Sequence, residues 1–535
     1  MATVAVAADA GTKTAMTEER KKFRKTMRRI DMVLFAAAAI IGFDSPSAVA
    51  TCGGQAVFWL VVALIFFMVP YGMIAAELGT TFPVEGGPYA WTRMAFGRVA
   101  GAVTAVLYWI STPIWVGGTL TATSIAMLNA FILKKPLNTT EEIIFGLAFV
   151  WVTVLLCEIE MKWGKWGPNV ATILKGVLTL LFVGLVIAFV VNKGHVANTL
   201  TVSSLKPSLT GFLAVIGLLL FLFTGFETPN AAGEELVNAK RDVPKAIAGA
   251  GIITTLIYAA VIIGILLVIP QSGLTKVGSF ADAYSSVTSV LGGAAQDVGY
   301  VFAIVIILTI LLGGAAWLAA ANRVQAVTAL NGGAPLWLGK FSKSGTPIAV
   351  NLVSGGVGSA FVLVVFLASS GSLSSFFAVM ISLAISSTAL SYLLVFPSIL
   401  VLKKKYPDRV HPYEVPGGTV GAWIAVILTV LMVVLTSITL LWPGLLNNMF
   451  GQSYSIMSNW GVSRVFFEAV TLGSTAAMVA LGVVFWWSGR SAIARGVVDD
   501  NDLLAIAAVV HGPGSAAGDD GGTATVAGGP AVGGS

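Results

Sequence analysis

Charge is scarce in this chain: only 10% of its 535 residues are Asp, Glu, Lys or Arg, and mean hydropathy is +0.89. A soluble globular chain carries about 25% charge, so that class is excluded and lipid must solvate most of the surface. Cysteine is nearly absent. Cys52 and Cys157 stand far apart in apolar context, with no second ligand at metal spacing, which excludes a disulfide framework or a cysteine metal site. Histidine is rarer still for the length, and His195, His411 and His511 all fall in loops or the tail. No histidine relay, HExxH pattern or nucleophile–base pair is therefore expected within the membrane. Catalytic residues, metals and cofactors are none, and a membrane-embedded enzyme lacks its reagents. The net charge of +6 is no nucleic-acid footprint, because the basic residues lie in short connections between apolar stretches.

Long apolar runs are what the chain does have. Stretches able to cross about 30 Å of hydrocarbon lie near 31–56, 57–79, 99–131, 142–161, 168–192, 210–233, 246–269, 297–321, 347–368, 374–402, 418–443 and 465–488. The expected fold is an all-α membrane protein of twelve transmembrane helices. With the N-terminus inside, the inner segments hold 24 basic residues and the outer ones six, with Lys175 left inside a span. That asymmetry predicts cytoplasmic termini and a multi-pass protein of the cell membrane. Residues 1–29 read as a cytoplasmic tail and 491–535 as a disordered one. Between them, 30–402 form a transport core and 403–490 two further spans. Pro83–Gly97 reads as an interfacial element anchored by Trp91 and Phe96, Gln271–Gln296 as an outer loop with some helix, and Tyr406–Gly418 as a rigid inner connection.

Two segments 183 residues apart by their numbering carry nearly the same text: Gly42-Phe43-Asp44-Ser45-Pro46 and Gly225-Phe226-Glu227-Thr228-Pro229. Glycine and proline loosen a helix, and an acid at a span's centre costs roughly 2.5–3.5 kcal/mol on insertion scales. Such a pair in two halves of a membrane chain marks two discontinuous helices, 1 and 6, facing a midplane site. Where they unwind, around Ile41-Gly42 and Thr224-Gly225, main-chain groups lose their intrahelical partners and are expected to await a ligand, ion or water. The glycines permit close backbone approach or, alternatively, tight helix packing. Asp44 and Glu227 can hold an amine, carry a proton or gate the site; for Asp44 the alternative is capping of the following half-helix. Lys175 either snorkels to the inner surface or presses against the broken part of helix 1. Phe221, Phe223, Phe226 and Trp317 stack on or enclose a substrate, opening as thin gates, or simply pack. Late helix 8 reads Trp317-Leu318-Ala319-Ala320-Ala321, without a hydroxyl to hold sodium, which favours proton coupling or exchange.

Three stretches resemble the amino acid–polyamine–organocation (APC) transporter superfamily, with its inverted five-plus-five repeat. They are Ala76-Glu77-Leu78 with Glu85–Trp91 and Phe96-Gly97; Phe221–Glu227 continuing to Lys240-Arg241-Asp242-Val243-Pro244; and Asn322-Arg323 through Gly333-Ala334-Pro335 to Gly345-Thr346-Pro347. The resemblance implies a gating aromatic at Phe221, a substrate-side acid at Glu227, a covering aromatic at Trp317 and the helix 5 lysine of sodium-independent members at Lys175. One departure concerns helix 1, where the family's Gly-Ser-Gly is replaced by Ala39-Ile40-Ile41 before Gly42; Phe-Asp-Ser-Pro is closer to the glutamate/GABA antiporter-like branch.

The reading is a secondary active transporter of amino acids or related amines by alternating access, proton-coupled or exchanging, and sodium-independent. The alternatives are an amino acid/amine antiporter or polyamine exporter of the same fold and, in a different class, a channel or non-transporting sensor. The substrate-binding set is Ile41, Gly42, Phe43, Asp44, Phe221, Thr224, Gly225, Phe226, Glu227 and Trp317, with Lys175 and Glu227 for proton coupling. Its partners are a small-molecule substrate, protons and the bilayer, with no nucleic acid. The two acids lean toward an amine-bearing or cationic substrate.

Overall fold

The computed structural model describes residues 29–133, 135–163, 166–228, 230, 239–343, 345–368, 372–443, 445 and 462–494. Among them every regular element is helical. Ten helices are long and apolar enough to cross a membrane, and one bent pair makes an eleventh. The sixth expected stretch, 210–233, lies only partly within the described residues, and its helix is too short to cross alone. Residues 1–28 and 495–535 of the two tails, and Pro229, fall outside them.

Helix α1 (Arg29–Ile40) stops before Ile41-Gly42-Phe43, and α2 (Asp44–Ala50) resumes at a 56° bend. Pro46 helps to set this restart, because the first turn of a helix needs no N–H from it. Helix α3 (Gln55–Thr81) carries a π-turn at Leu64–Met68 just before Pro70, which cannot donate into a regular ladder. A short α4 (Gly87–Phe96) leads to α5 (Arg98–Ile132), where Pro113 is followed by a π-turn at Val116–Leu120. Within that turn Gly117 lies against the Gly358 carbonyl and Gly118 against Met380, so the missing side chains bring neighbouring helices close.

Next come α6 (Thr139–Trp163), α7 (Trp166–Lys193) and α8 (Leu209–Leu222), the last capped by Ser208, whose hydroxyl accepts from Gly211 N–H at 3.0 Å. Helices α9 (Ala239–Val268), α10 (Ser279–Thr288), α11 (Ala295–Leu330), α12 (Ile348–Ala368), α13 (Leu373–Lys405), α14 (Gly418–Leu441) and α15 (Arg464–Ala494) complete the chain. Burial sorts them into layers. The apolar windows of α5 and α13 are 83% buried, whereas that of α15 is 17% buried, so α5 and α13 run through the centre and α15 faces lipid. Helix α1 packs on α9, α7 and α11, which places its break inside the bundle.

Two loop readings change. Trp91 is buried, donating Nε1–H to the Phe82 carbonyl at 3.1 Å, and is no interfacial anchor; Phe96 alone stays exposed. Arg323, two residues past the expected stretch 297–321, is not in a connection but inside α11, buried and paired with Glu85. A buried arginine is tolerated here because a carboxylate meets it. The connection 406–417 is held down on the end of α3: Glu77 takes Lys403 at 2.7 Å, His411 at 2.8 Å and the Val415 N–H at 2.8 Å. Arg409 adds a bond to the Thr81 carbonyl at 2.9 Å. Helix α10 lies over α2, where Phe280 stacks on Phe43 at 5.0 Å and its N–H bonds Ser47 Oγ at 3.0 Å.

Candidate functional site

The break after α1 is closed by side chains from elsewhere. Tyr258 of α9 donates its hydroxyl to the Ile40 carbonyl at 2.7 Å and accepts from Gly42 N–H at 3.1 Å. Lys175 of α7 is buried and donates to the carbonyls of Ala38 at 2.7 Å and Ile41 at 2.5 Å. Gly313 of α11 leaves the room for that ammonium, since a Cβ there would lie 2.6 Å from Lys175 Nζ. Lys175 therefore presses against the broken helix and does not snorkel. An ammonium among freed carbonyls occupies the kind of place where a metal cation would otherwise sit.

In the second segment α8 ends at Leu222, and Gly225 adopts φ +115°, a conformation that side-chain-bearing residues rarely adopt. A Cβ at Gly225 would also collide with the Trp317 ring. Gly225 N–H is taken by the Tyr71 hydroxyl of α3 at 3.1 Å. These bonds correct one expectation from the sequence. Gly42 N–H, Gly225 N–H and the Ala38, Ile40 and Ile41 carbonyls are satisfied by two phenols and one ammonium, and do not wait for a guest.

The two acids are different. Asp44 is 1% exposed; its Oδ2 accepts from Trp115 Nε1–H at 3.0 Å, while Oδ1 has no hydrogen-bond partner among the described residues. Its carboxylate turns toward Trp115, so the capping alternative does not describe it. Glu227, also 1% exposed, accepts from the Tyr392 hydroxyl at 2.8 Å through Oε1, and its Oε2 likewise lacks a partner. Each acid thus keeps one oxygen bonded to an aromatic donor and one without a side-chain donor among the described residues, out of reach of bulk water.

Aromatic rings join the two acids. Trp115 meets Phe221 at 5.8 Å and Trp317 at 5.9 Å between ring centroids, both edge-on. Trp317 covers Gly225, and Tyr71 lies edge-on to Phe226 at 5.7 Å and bonds Tyr392 at 3.0 Å. The structure therefore brings together Ile41, Gly42, Asp44, Phe221, Gly225, Phe226, Glu227, Trp317 and Lys175. It does not bring in Phe43, whose ring faces outward onto Phe280, and the Thr224 hydroxyl is spent on the Leu220 carbonyl at 3.0 Å.

Sequence reading missed Trp115, Tyr71, Tyr258 and Tyr392. The available signal was a polar-tipped aromatic deep in an apolar span, which must find a hydrogen-bond partner when buried.

Residues 29–486 match the amino acid permease family. The chain is similar to “Probable agmatine/putrescine antiporter AguD” of Lactococcus lactis, 29% identical over 418 residues, covering 76% of this chain and 87% of that protein. It is 27% identical over 401 residues to an uncharacterized transporter of Legionella pneumophila, covering 74% of this chain and 85% of that protein. The branched-chain amino acid permease BcaP of Bacillus subtilis is 24% identical over 448 residues, covering 78% and 90%.

Proposed function

The chain belongs to the amino acid permease family, and we propose that it is a secondary transporter of amine-bearing substrates in the cell membrane. Its termini are cytoplasmic, it works by alternating access with an inverted five-plus-five repeat, and it performs no covalent chemistry. The observation that carries this reading is the pair of buried carboxylates, each with one oxygen that no side chain among the described residues bonds. A half-paired acid shut away from water is costly until a cation completes it. An ammonium substrate supplies that cation, and the rings of Trp115, Phe221 and Trp317 enclose its apolar part.

Two such oxygens favour a substrate with two cationic ends. Helix 1 lacks the Gly-Ser-Gly that suits a substrate carboxylate, and Asp44 sits over Gly42, where a Cβ would strike its Oδ1. A negative group there repels a second one. The printed name of the Lactococcus lactis relative, with agmatine and putrescine, is in keeping with this reading. The amino acid reading, in keeping with the Bacillus subtilis relative, needs only one acid to meet the substrate amine.

Coupling is assigned to Lys175 and Glu227. Protonated, Lys175 ties α7 to the end of α1; deprotonated, it can donate at most two weaker bonds and loses its charge. Proton movement or exchange thereby replaces sodium.

The test is counterflow in proteoliposomes with labelled putrescine, agmatine, lysine and leucine. Cationic amines are expected to exchange, to respond to a pH gradient and to ignore sodium. Flux that follows substrate gradients without counterflow would move the protein to the channel class, and no flux of any amine or amino acid to the sensor class.

A further inference from the structure

The N–H of each of these two glycines is held by a tyrosine from the other half of the chain. Gly42 is met by Tyr258, and Gly225 by Tyr71. The two tyrosines lie 187 residues apart by their numbering, almost the interval that separates the two glycines. The hydrogen bonds run differently onward. Tyr258 spends its proton on Ile40, on the other side of the same break. While Glu227 is ionised Tyr392 spends its proton on it, so in the Tyr71–Tyr392 pair Tyr71 is then the donor. The chain of donors therefore runs from Gly225 N–H through Tyr71 and Tyr392 to Glu227.

We infer that Tyr71 and Tyr258 are reciprocal positioning residues with unequal duties. Tyr258 pins the first break to itself, setting how readily α1 and α2 swing. Tyr71 connects the second segment to the acid that meets the substrate, so that the turn at Gly225 and the orientation of Glu227 are set together. The division of duties rests on the transport reading, but the pinning does not.

The experiment compares Tyr71→Phe and Tyr258→Phe, which remove one oxygen and keep the ring. Hydrogen–deuterium exchange reads the pins without transport. Tyr258→Phe is expected to accelerate exchange at Gly42 about tenfold and leave Gly225 unchanged, and Tyr71→Phe the reverse, as for loss of one buried hydrogen bond. Acceleration at both glycines in both variants, or at neither, overturns the pairing. In proteoliposomes Tyr71→Phe is expected to raise KM about tenfold with the maximal rate kept, while Tyr258→Phe lowers the maximal rate with KM within about twofold. If both variants move the same kinetic parameter, the division of duties is wrong even where the exchange pattern holds. Should Tyr258→Phe fail to fold, exchange in Tyr71→Phe alone decides: acceleration confined to Gly225 supports the pairing, and acceleration at both sites ends it.

Discussion

Replacing Lys175 by methionine keeps a long apolar stem and removes the ammonium that donates to Ala38 at 2.7 Å and Ile41 at 2.5 Å. Hydrogen bonds to charged groups contribute about 1.5–3 kcal/mol each, so the pair holds the end of α1 against α7 by about 3–6 kcal/mol before any water reaches the carbonyls. At 1.4 kcal/mol per factor of ten, even the lower figure shifts the balance between two transporter conformations by roughly a hundredfold. The variant should therefore lose net uptake driven by a pH gradient while counterflow at equal pH persists at a reduced rate, because exchange moves no net proton. Reconstituted protein with labelled substrate, assayed with and without an imposed gradient, separates the two. A Lys175→Met variant whose uptake still follows the pH gradient would refute the coupling role, and sodium-driven uptake by the unaltered protein would refute the reasoning from which it came.

Glu227→Gln should express and fold normally yet abolish or uncouple transport; full activity with intact pH response would make Glu227 structural. Trp115→Phe keeps the ring packing on Phe221 and Trp317 but removes the donor to Asp44, and a bond to a charged group is worth about 1.5–3 kcal/mol. Substrate affinity measured by competition should fall roughly tenfold to a hundredfold, and an unchanged affinity would detach Asp44 from binding. Gly225→Ala combines a strained φ, costing about 1–3 kcal/mol, with a collision against Trp317, and should lower the melting temperature clearly below that of Gly176→Ala, where a Cβ meets nothing within 4 Å. Glu77→Gln leaves Lys403 and His411 without their shared carboxylate and should speed labelling of a cysteine placed at the buried Val415, whose N–H alone meets Glu77; an unaltered labelling rate would show that the connection is held by other contacts.

Much of this was legible because membranes impose a harsh grammar. A glycine, an acid and a proline inside an apolar run have few structural explanations, so Gly42 and Gly225, the break after Ile40 and the depth of Asp44 and Glu227 could be read directly. Lys175 was legible for the same reason: an ammonium in hydrocarbon must find oxygen. What could not be read was which oxygen, and who else competes for it. Tyr71, Tyr258 and Tyr392 look like ordinary span aromatics until the fold brings α3, α9 and α13 against these two segments. The polar accounting at each glycine is a sum over helices far apart in sequence, and no local pattern states it. Trp91 misled for a related reason, because amphipathic rings suit both a headgroup layer and a buried site with one carbonyl in reach.

The reach of the Tyr258 contact has a consequence for biogenesis. Its partner Gly42 is made 216 residues earlier, and at about 5–20 residues per second of synthesis roughly ten to forty seconds pass before the phenol exists. Through that interval Trp115 and Lys175 emerge and can take up Asp44 and the Ala38 and Ile41 carbonyls, but the nascent first segment still carries an Ile40 carbonyl and a Gly42 N–H whose partner is not yet made. Its safe lodging must come from the translocon's wet interior or from delayed release into lipid, so the order of assembly is constrained by the last-made member of the pair.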